Sequence, residues 1–378
     1  MTPSSADFIV IGAGIAGASA AYELAQHGKV IVLEAEAQPG YHTTGRSAAL
    51  YSETYGNAAM RAITTASKDF YLHPPAGFAD HALLTPRGAL LVARADQLAA
   101  LQATYQAASV LVANLQILSG DQVRARVPVF AQHQVAAAML EPDAMDIDVH
   151  ALHHGYLRGL KQRGGQLLCS ARVDALTHDG REWHVASSAG EFAAPVVINA
   201  AGAWADEVGA LAGATRIGLT PKRRTAITFD APAGTASHDW PAVCDVDEHW
   251  YFKAEAGRLL ASPADETPTP PCDAQPDELD VAVLVDRITS LTLLAIPKIH
   301  SKWAGLRSFV ADKTVVAGFD PRAKGFFWLA GQGGYGIQTA PAMGRIAAAL
   351  ARGEKMPADV QALGVTAGDL APGRSSLI

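Results

Sequence analysis

Residues 7–34 read DFIVIGAGIAGASAAYELAQHGKVIVLE, and this stretch carries the strongest structural pattern of the chain. It opens and closes with short apolar runs typical of buried parallel strands, joined by a helical pattern. Gly12, Gly14 and Gly17 have the spacing of a dinucleotide-binding turn, which needs a tight bend, close backbone approach to a pyrophosphate and close helix–strand packing. Glu34 ends the second run, where its carboxylate can accept hydrogen bonds from a ribose diol. We therefore predict a βαβ dinucleotide-binding unit; the alternative is a glycine-rich helix–sheet contact without a ligand.

The turn alone fits FAD and NAD equally, whereas the acid disfavours NADP because it would repel a 2′-phosphate. Three further stretches favour FAD. Residues 42–47 (HTTGRS) offer hydroxyls and an arginine, and residues 196–204 (VVINAAGAW) bring a strand into a turn of small residues. Residues 331–338 (GQGGYGIQ) precede the last helical pattern, whose N-terminus can stabilise negative charge on a reduced flavin. A nicotinamide enzyme has no need of this distant second glycine-rich loop.

Composition and charge exclude several classes of function. The chain has 378 residues and a net charge of −7, without the basic balance of a nucleic-acid binder. Its three cysteines, Cys169, Cys244 and Cys272, are too few and too widely spaced for a disulfide framework or a zinc site. Neither a signal peptide nor a transmembrane segment is visible. We expect a cytoplasmic enzyme, or one at the periphery of the inner membrane.

The chain interleaves two kinds of pattern. Parallel βα patterns occur at the start, in the middle and at the end, and antiparallel patterns fill the gaps. Residues 263–279, rich in Pro, Asp and Thr, predict an exposed loop. We predict an α/β fold with a Rossmann-like FAD-binding domain and an inserted α+β substrate domain built on an antiparallel sheet. The FAD-binding domain is assigned residues 1–85, 140–215 and 318–378, and the substrate domain residues 86–139 and 216–317.

Eight segments resemble a known family: VIGAGIAGAS, AQPGYHTTGRSAA, LLTPR, DIDVHALHHGYLRG, NAAGAW, PKRR, WAGLRSFVAD and GQGGYGIQT. They are similar to the D-amino acid oxidase-like superfamily of FAD oxidoreductases, and within it to bacterial D-arginine dehydrogenases. The resemblance spans essentially the whole chain. It implies FAD as the cofactor and oxidation of the Cα–N bond of an amino acid. Non-covalent attachment is expected, because the cysteine or histidine that relatives use for a covalent bond is absent from the matching places.

The residues expected to hold FAD come from the stretches above. They are Gly12, Gly14, Ile15, Ala16, Gly17, Glu34, Ala35, His42, Thr43, Thr44, Arg46, Ser47, Ala48, Ala201, Gly202, Trp204, Gly333, Gly334, Tyr335, Gly336, Ile337 and Gln338. No metal site is expected. His150, His153 and His154 are interpreted as a solvated helix face, and Lys222 and Lys253 as surface charges.

An α-amino acid needs an anchor for its carboxylate, and arginine suits this because it is permanently charged and bonds bidentately. Arg307, in an apolar context, and Arg224 are the candidates, and the resemblance places both at carboxylate-binding positions. The alternative for each is a structural ion pair. Tyr55 and Tyr251 match hydroxyl donors of the family, although either can be a core tyrosine. Gln338 either reaches the flavin or caps its helix.

Two departures from D-arginine dehydrogenases bear on the substrate. Ala89 stands where that family has an acidic residue facing the cationic side chain, and Leu50 stands where it has a histidine. A buried guanidinium without a carboxylate is costly, so a preference for neutral or apolar D-amino acids is expected. Glu53 could supply a new acid, although a solvated loop residue is its simpler interpretation. Gly305 and Tyr335 complete the expected substrate pocket.

The chemistry needs no strong protein base, because a deprotonated amine can release hydride from Cα directly to the flavin. The arginines and tyrosines are therefore assigned to positioning. The leading hypothesis is an FAD-dependent D-amino acid dehydrogenase with a quinone or a redox protein as electron acceptor. The alternatives are a glycine or sarcosine-type amine oxidase, a flavin-dependent 2-hydroxyacid dehydrogenase and a non-catalytic flavoprotein subunit.

Overall fold

The computed structural model describes residues 4–377, and its strands form four sheets. In chain order the strands are β1 (Ser4–Ser5), β2 (Phe8–Ile11), β3 (Val30–Leu33), β4 (Leu50–Tyr51), β5 (Leu84–Pro86), β6 (Ala89–Ala93), β7 (Gln116–Ser119), β8 (Ala137–Glu141), β9 (Met145–Ile147), β10 (Gln166–Leu168), β11 (Val173–His178), β12 (Trp183–Ser187), β13 (Gly190–Ala194), β14 (Val196–Asn199), β15 (Thr220–Phe229), β16 (Ala242–Asp245), β17 (Tyr251–Glu255), β18 (Arg258–Ser262), β19 (Thr267–Pro268), β20 (Ile299–Phe309), β21 (Val316–Phe319) and β22 (Phe326–Ala330).

The helices lie between these strands. They are α1 (Ile15–Leu24), α2 (Ala58–Leu72), α3 (Leu98–Ala108), α4 (Gly120–Arg126), α5 (Val149–Gln162), α6 (Ala205–Leu211), α7 (Glu278–Leu291), α8 (Gly336–Ala351), α9 (Ala358–Ala362) and α10 (Ala367–Leu370). Single 3-10 turns occupy Thr43–Arg46, Ala95–Gln97, Gly202–Trp204, Ser237–Asp239 and Ser375–Leu377.

The sheet that contains the opening βαβ unit has six strands in the order β10-β3-β2-β14-β22-β21. Its first five strands are parallel and only β21 is antiparallel. Successive side chains of a strand point to opposite faces. Val10 and Val32 therefore pack under α1 and α8, whereas Ile9 and Ile31 pack against the β11–β13 meander. Cover on both faces explains why these strands are apolar throughout.

The largest sheet has nine strands, ordered β19-β15-β18-β17-β16-β6-β8-β7, with β20 paired to β15. Its pairs are antiparallel, as predicted, except for β6 with β16, which run parallel. Ile227 and Phe229 of β15 join the core formed with α7. The alternate residues of β15 face the other way, toward the six-stranded sheet. The α/β fold with mixed sheets is thus the fold that the sequence predicted.

Local structure differs from the sequence-based expectation in two places. The predicted exposed loop 263–279 is wrong in part, because Thr267–Pro268 pairs with β15 and Ala274 is buried in an apolar cluster. Helix α7 was not predicted at all. Asp277 caps it by accepting from the backbone N–H of Leu279, and its apolar side chains cover the large sheet.

The predicted domain division stays a prediction, and three of its boundaries fall inside strands. The 85/86 boundary cuts β5, the 139/140 boundary cuts β8 and the 317/318 boundary cuts β21. Strands β4, β5 and β9 form a small sheet of their own. Within residues 4–377, none of the helices is both long and apolar enough to cross a bilayer.

Candidate active site

A cavity of about 640 Å³ lies between the six-stranded sheet and the cavity-facing side of the large sheet. The glycine-rich turn, the end of β3 and residues 42–48 line one part of it, and β15, β17 and β20 line another. The end of the cavity next to β3 is closed by residues 171–174 and 207–211. Sequence reasoning missed these two ranges because they carry no motif. The volume is within the range of pockets that hold small organic ligands.

The glycine-rich turn is sterically restricted. Gly12 has φ +100°, and a Cβ there would lie 2.5 Å from the Ala200 carbonyl oxygen. A Cβ on Gly17 would lie 1.9 Å from the Gly12 carbonyl oxygen. Only glycine fits these two positions, so the backbone can approach a ligand closely and α1 can pack on the strand. Gly17 thus acts from behind the lining, whereas Gly14, Ile15 and Ala16 line the cavity.

The predicted ribose-binding acid is held in place by backbone donors. Glu34 lines the cavity beside Ala35. Its carboxylate accepts from the N–H of Ala13 at 2.7 Å and from the N–H of Glu36 at 3.0 Å. The residue therefore joins the glycine-rich turn to the end of β3, and it presents a fixed negative charge to the cavity.

Residues 42–48 connect the two sheets. The Thr44 hydroxyl accepts from the N–H of Ile15 at 3.0 Å, and the Thr43 hydroxyl donates to the Leu306 carbonyl at 2.8 Å. Arg46 donates to the carbonyls of Ala304 and Ala274 at 2.9 and 3.0 Å. Its guanidinium is thus engaged in fixing the walls, although its side chain lines the cavity together with Ser47 and Ala48.

The two remaining predicted cofactor stretches also reach the cavity. Ala201, Gly202 and Trp204 line it, with the indole of Trp204 packed on His42 at 4.7 Å between ring centres. Gly333, Gly334, Gly336 and Ile337 line it at the start of α8. The N-terminal N–H groups of this helix give the wall a positive potential.

Gln338 and Tyr335 lie behind that wall. The Gln338 amide accepts from the N–H of Ser52 at 3.3 Å and donates to the Thr64 hydroxyl at 2.8 Å. Tyr335 is buried against Tyr55, with ring centres 4.9 Å apart. Both partners of Gln338 lie on other segments, and its side chain does not cap its own helix.

Two arginines face the cavity from neighbouring strands. Arg224 is paired with Gly305, and Arg307 lies two residues along the same face of β20. Both line the cavity, as do Gly305 and Tyr251. Arg224 is 8% exposed and donates to the Asp265 carbonyl at 2.9 Å. Burial and the neighbouring Arg307 lower its pKa. Arg224 also pairs with Glu266 at 3.3 Å, and Arg307 beside it is half-buried. Two cations side by side favour an anion between them.

Tyr55 completes this cluster from another direction. Its hydroxyl accepts from Arg307 Nη1 at 3.0 Å. Burial raises the pKa of this hydroxyl, opposed by the charge of Arg307 and reinforced by that of Glu248. Tyr55 is therefore protonated at neutral pH and has its own proton left to donate. Glu248, in an exposed turn between β16 and β17, is an acid near the site that sequence reasoning did not find.

The other predicted pocket residues lie outside the lining. Leu50 of β4 is paired with Asp146 of β9, and Ala89 of β6 is paired with Glu141 of β8. Glu53 is neither a solvated loop residue nor a free acid. It is 6% exposed and binds Lys68 and Thr65 at 2.6 and 2.7 Å. The interpretation of Glu53 as solvated was wrong.

Glu141 is a residue that sequence reasoning missed. It is 2% exposed, and its carboxylate accepts from the Ser52 hydroxyl, the Glu53 N–H and the Thr54 hydroxyl at 2.6, 2.7 and 2.7 Å. Burial raises its pKa. These bonds fix the segment that leads directly to Tyr55. A glutamate at a strand end gives no sequence signal for such a role.

Two other interpretations are corrected. His153 is buried rather than solvated, and its Nε2 lies 2.8 Å from the Ala13 carbonyl oxygen. Lys253 is buried rather than a surface charge, because it pairs with Asp146 at 2.8 Å and Glu255 at 2.7 Å. Helical or strand periodicity places such residues on a face, but it does not tell which neighbour covers that face.

The chain belongs to the DAO family of FAD dependent oxidoreductases, whose family model matches residues 7–350. It is similar to "FAD-dependent oxidoreductase domain-containing protein 1" of Xenopus laevis, at 25% identity over 93% of this chain and 80% of that protein. The fold is similar to that of L-proline dehydrogenase from P. horikoshii, with a TM-score of 0.82 and 22% identity over 94% of this chain and 96% of that chain. It is also similar to that of glycine oxidase from Geobacillus kaustophilus, with a TM-score of 0.81 and 21% identity over 93% of this chain and 96% of that chain.

Proposed function

We propose that the protein oxidises D-amino acids to imino acids, which water converts to 2-oxo acids and ammonia. Neutral or apolar side chains are preferred over D-Arg, although the nearest subfamily is proposed to be the D-arginine dehydrogenases. The observation that carries the proposal is the pair Arg224 and Arg307, the first buried and the second half-buried, side by side in the cavity wall that also contains Tyr251. This arrangement suits a substrate carboxylate.

The cofactor is proposed to be non-covalent FAD, which supplies the acceptor for the hydride leaving the substrate. The glycine-rich turn and the N-termini of α1 and α8 suit its negative groups, and Glu34 suits its ribose. Within the described chain the cavity lining contains no cysteine, and the thiols of Cys169, Cys244 and Cys272 are free. These observations support the proposal of non-covalent binding.

The protein's own residues act by position and charge. Arg224 and Arg307 hold the carboxylate, and their charges lower the pKa of a nearby amine by disfavouring its cationic form. Tyr55 and Tyr251 add hydroxyl donors, and burial raises the pKa of Tyr55, so this residue is protonated at neutral pH and has no basic form to offer. The ammonium proton therefore passes to water, and no protein base is assigned.

Side-chain preference follows from the acids that are already engaged. Glu141 binds three donors of the Ser52–Thr54 segment, and Glu53 binds Lys68. Neither has a free carboxylate to pair with the guanidinium of D-Arg. Glu248 lies in an exposed turn, where water screens its charge. A cationic side chain thus lacks a buried partner, which is costly.

The test mixes holoenzyme anaerobically with enantiomeric pairs of Leu, Met, Phe and Arg and follows flavin bleaching. We expect the D-enantiomers to bleach the flavin, with kcat/KM for D-Leu, D-Met or D-Phe above that for D-Arg. Fastest reduction by D-Arg would contradict the side-chain preference alone. Reduction only by glycine, sarcosine or a 2-hydroxyacid would overturn the proposed substrate class.

Electrons are proposed to leave through a quinone or a redox protein, in the cytoplasm or at the inner face of the membrane. Turnover in air with a peroxide assay tests this. Little peroxide and rapid reduction of an added quinone are expected. Stoichiometric peroxide would instead make the protein an oxidase.

A further inference from the structure

The peptide of Ala13 lies at the centre of the glycine-rich turn, between Gly12 and Gly14. It is hydrogen bonded on both sides. Its N–H donates to Glu34 at 2.7 Å, and its carbonyl oxygen lies 2.8 Å from Nε2 of His153. One partner follows β3 and the other lies on α5, so two distant parts of the chain hold this one peptide. No motif describes the second partner.

His153 differs from its neighbours on the same helix. It is 4% exposed, whereas His150 and His154 are exposed. Burial lowers its pKa, opposed by the bond to Ala13, so the ring is neutral near pH 7. A neutral imidazole that faces a carbonyl oxygen carries its proton on that nitrogen. His153 Nε2–H is therefore the donor to Ala13.

The same ring also contacts the next loop. Gly40 has φ +75°, and a Cβ there would lie 3.0 Å from Cε1 of His153. The Gly40 carbonyl accepts from the N–H of Gly45 at 2.8 Å, and this turn contains Thr44. Thr44 accepts from the N–H of Ile15. The imidazole thus lies between the glycine-rich turn and the Gly40–Gly45 turn, and these two turns meet at the N-terminal end of α1.

We propose that His153 is a positioning residue for cofactor binding, which acts through Ala13 to hold the glycine-rich turn ready for the pyrophosphate of FAD. A turn held in its binding geometry before the ligand arrives loses less conformational freedom when the ligand binds. The inference goes beyond the proposed substrate, since it concerns only the cofactor that the family requires.

The experiment titrates apoprotein with FAD and follows the quenching of flavin fluorescence. His153→Leu keeps similar bulk and removes the donor, and we expect the Kd for FAD to rise about tenfold. His153→Gln can place its amide N–H near the position of Nε2 and should restore the Kd to near the wild-type value. His154→Leu, one residue away on the exposed face, is the matched control and should bind FAD as the wild type does.

Two further measurements keep the result interpretable. The gain in unfolding temperature on adding FAD should be smaller for His153→Leu than for the wild type, whereas a purely structural role would lower the temperatures with and without FAD by equal amounts. ADP, which carries the pyrophosphate without the flavin, should lose affinity for His153→Leu as well. If that variant fails to fold, His153→Asn, whose amide is too short to reach Ala13, should weaken binding in its place.

Wild-type affinity for FAD in His153→Leu or His153→Asn would overturn the inference. So would a His153→Gln protein that folds and yet binds as weakly as the leucine variant, because the donor would then be irrelevant. No substrate is used, so a wrong assignment of the amino acid substrate leaves this test unaffected.

Discussion

The two ends of the cavity differ in their walls, which are mainly backbone at one end and mainly side chains at the other. At the proposed cofactor end the cavity wall is the backbone of a contiguous turn, and side chains such as Thr44 hold that backbone in place. At the proposed substrate end the wall is made of side chains, and Arg224, Tyr251 and Arg307 come from three strands of one sheet. A backbone site is damaged by adding an atom, whereas a side-chain site is damaged by removing a charge. The following predictions test this difference.

The largest effect is expected from adding one methyl group at the cofactor end. Gly12→Ala should abolish FAD binding, because its Cβ would lie 2.5 Å from the Ala200 carbonyl in a left-handed conformation. Gly305→Ala is the matched control at the substrate end, since its Cβ would lie 3.6 Å from the nearest atom, an ordinary contact. The ratio of flavin to protein absorbance after purification measures both. A yellow Gly12→Ala protein would contradict the steric argument.

The next effect is expected from removing a charge at the substrate end. Arg307→Leu should lower kcat/KM about a thousandfold while FAD binding is retained, because a buried carboxylate then lacks its partner. Arg307→Lys should recover part of this through charge alone, without the bidentate geometry. Steady-state kinetics with D-Leu and with D-Phe measure the loss. Arg216→Leu, with its side chain 83% exposed, serves as the control and should be fully active. A kcat/KM for Arg307→Leu within tenfold of wild type would remove Arg307 from the site.

A smaller effect is expected one layer behind the substrate. Glu141→Leu should raise KM about tenfold, because Ser52 and Thr54 lose their common acceptor and Tyr55 loses its alignment with Arg307. Glu141→Gln keeps an acceptor and should lose less. In a Tyr55→Phe background the effect of Glu141→Leu should shrink, since the two residues act through one contact. Fully additive losses would mean that Glu141 acts elsewhere.

The smallest effect concerns pH. Burial lowers the pKa of His153 below its usual 6.5, and the charges of His150 and His154 act in the same direction. The fold therefore favours the neutral ring. The stability that this contributes is complete above pH 6.5 and declines as the pH falls through the lower pKa of the folded state. Thermal unfolding of wild type and His153→Gln between pH 7.5 and pH 5 checks this. The wild type should lose more stability toward acid, and equal losses would contradict the assignment.

Much of the fold could be predicted from the spacing of apolar residues and from the glycines and prolines at turns. The strands expected at the two ends of the stretch 7–34 are Phe8–Ile11 and Val30–Leu33. Helix α7 could not be predicted in the same way. It follows a Pro-rich run, and its apolar face is explained only by the large sheet that it covers.

The candidate site likewise contains residues that a local sequence pattern predicts and residues that only the packing explains. Gly12 and Glu34 were predicted from spacing, because a phosphate-binding turn is a local arrangement of backbone and leaves a local pattern, and Thr44 was predicted from the hydroxyls of its stretch. Arg224 and Arg307 were predicted from the chemistry of a carboxylate and from a resemblance, since nothing in their separation along the chain indicates that β15 and β20 are neighbours. Glu141 and His153 were missed or misread, because a buried polar side chain is defined by the partner that it finds.

The order of the residues is sufficient to predict the βαβ unit and the glycines that a left-handed turn requires. These depend on bond rotation and on the side-chain period of a strand, which act between near neighbours. The two arginines share one cavity, Glu141 holds the segment before Tyr55 and His153 holds Ala13 for a different reason, which is the packing of distant segments. Burial and hydrogen bonding join residues that are far apart in the chain, so their energies are set by the folded neighbours and not by the order of the residues.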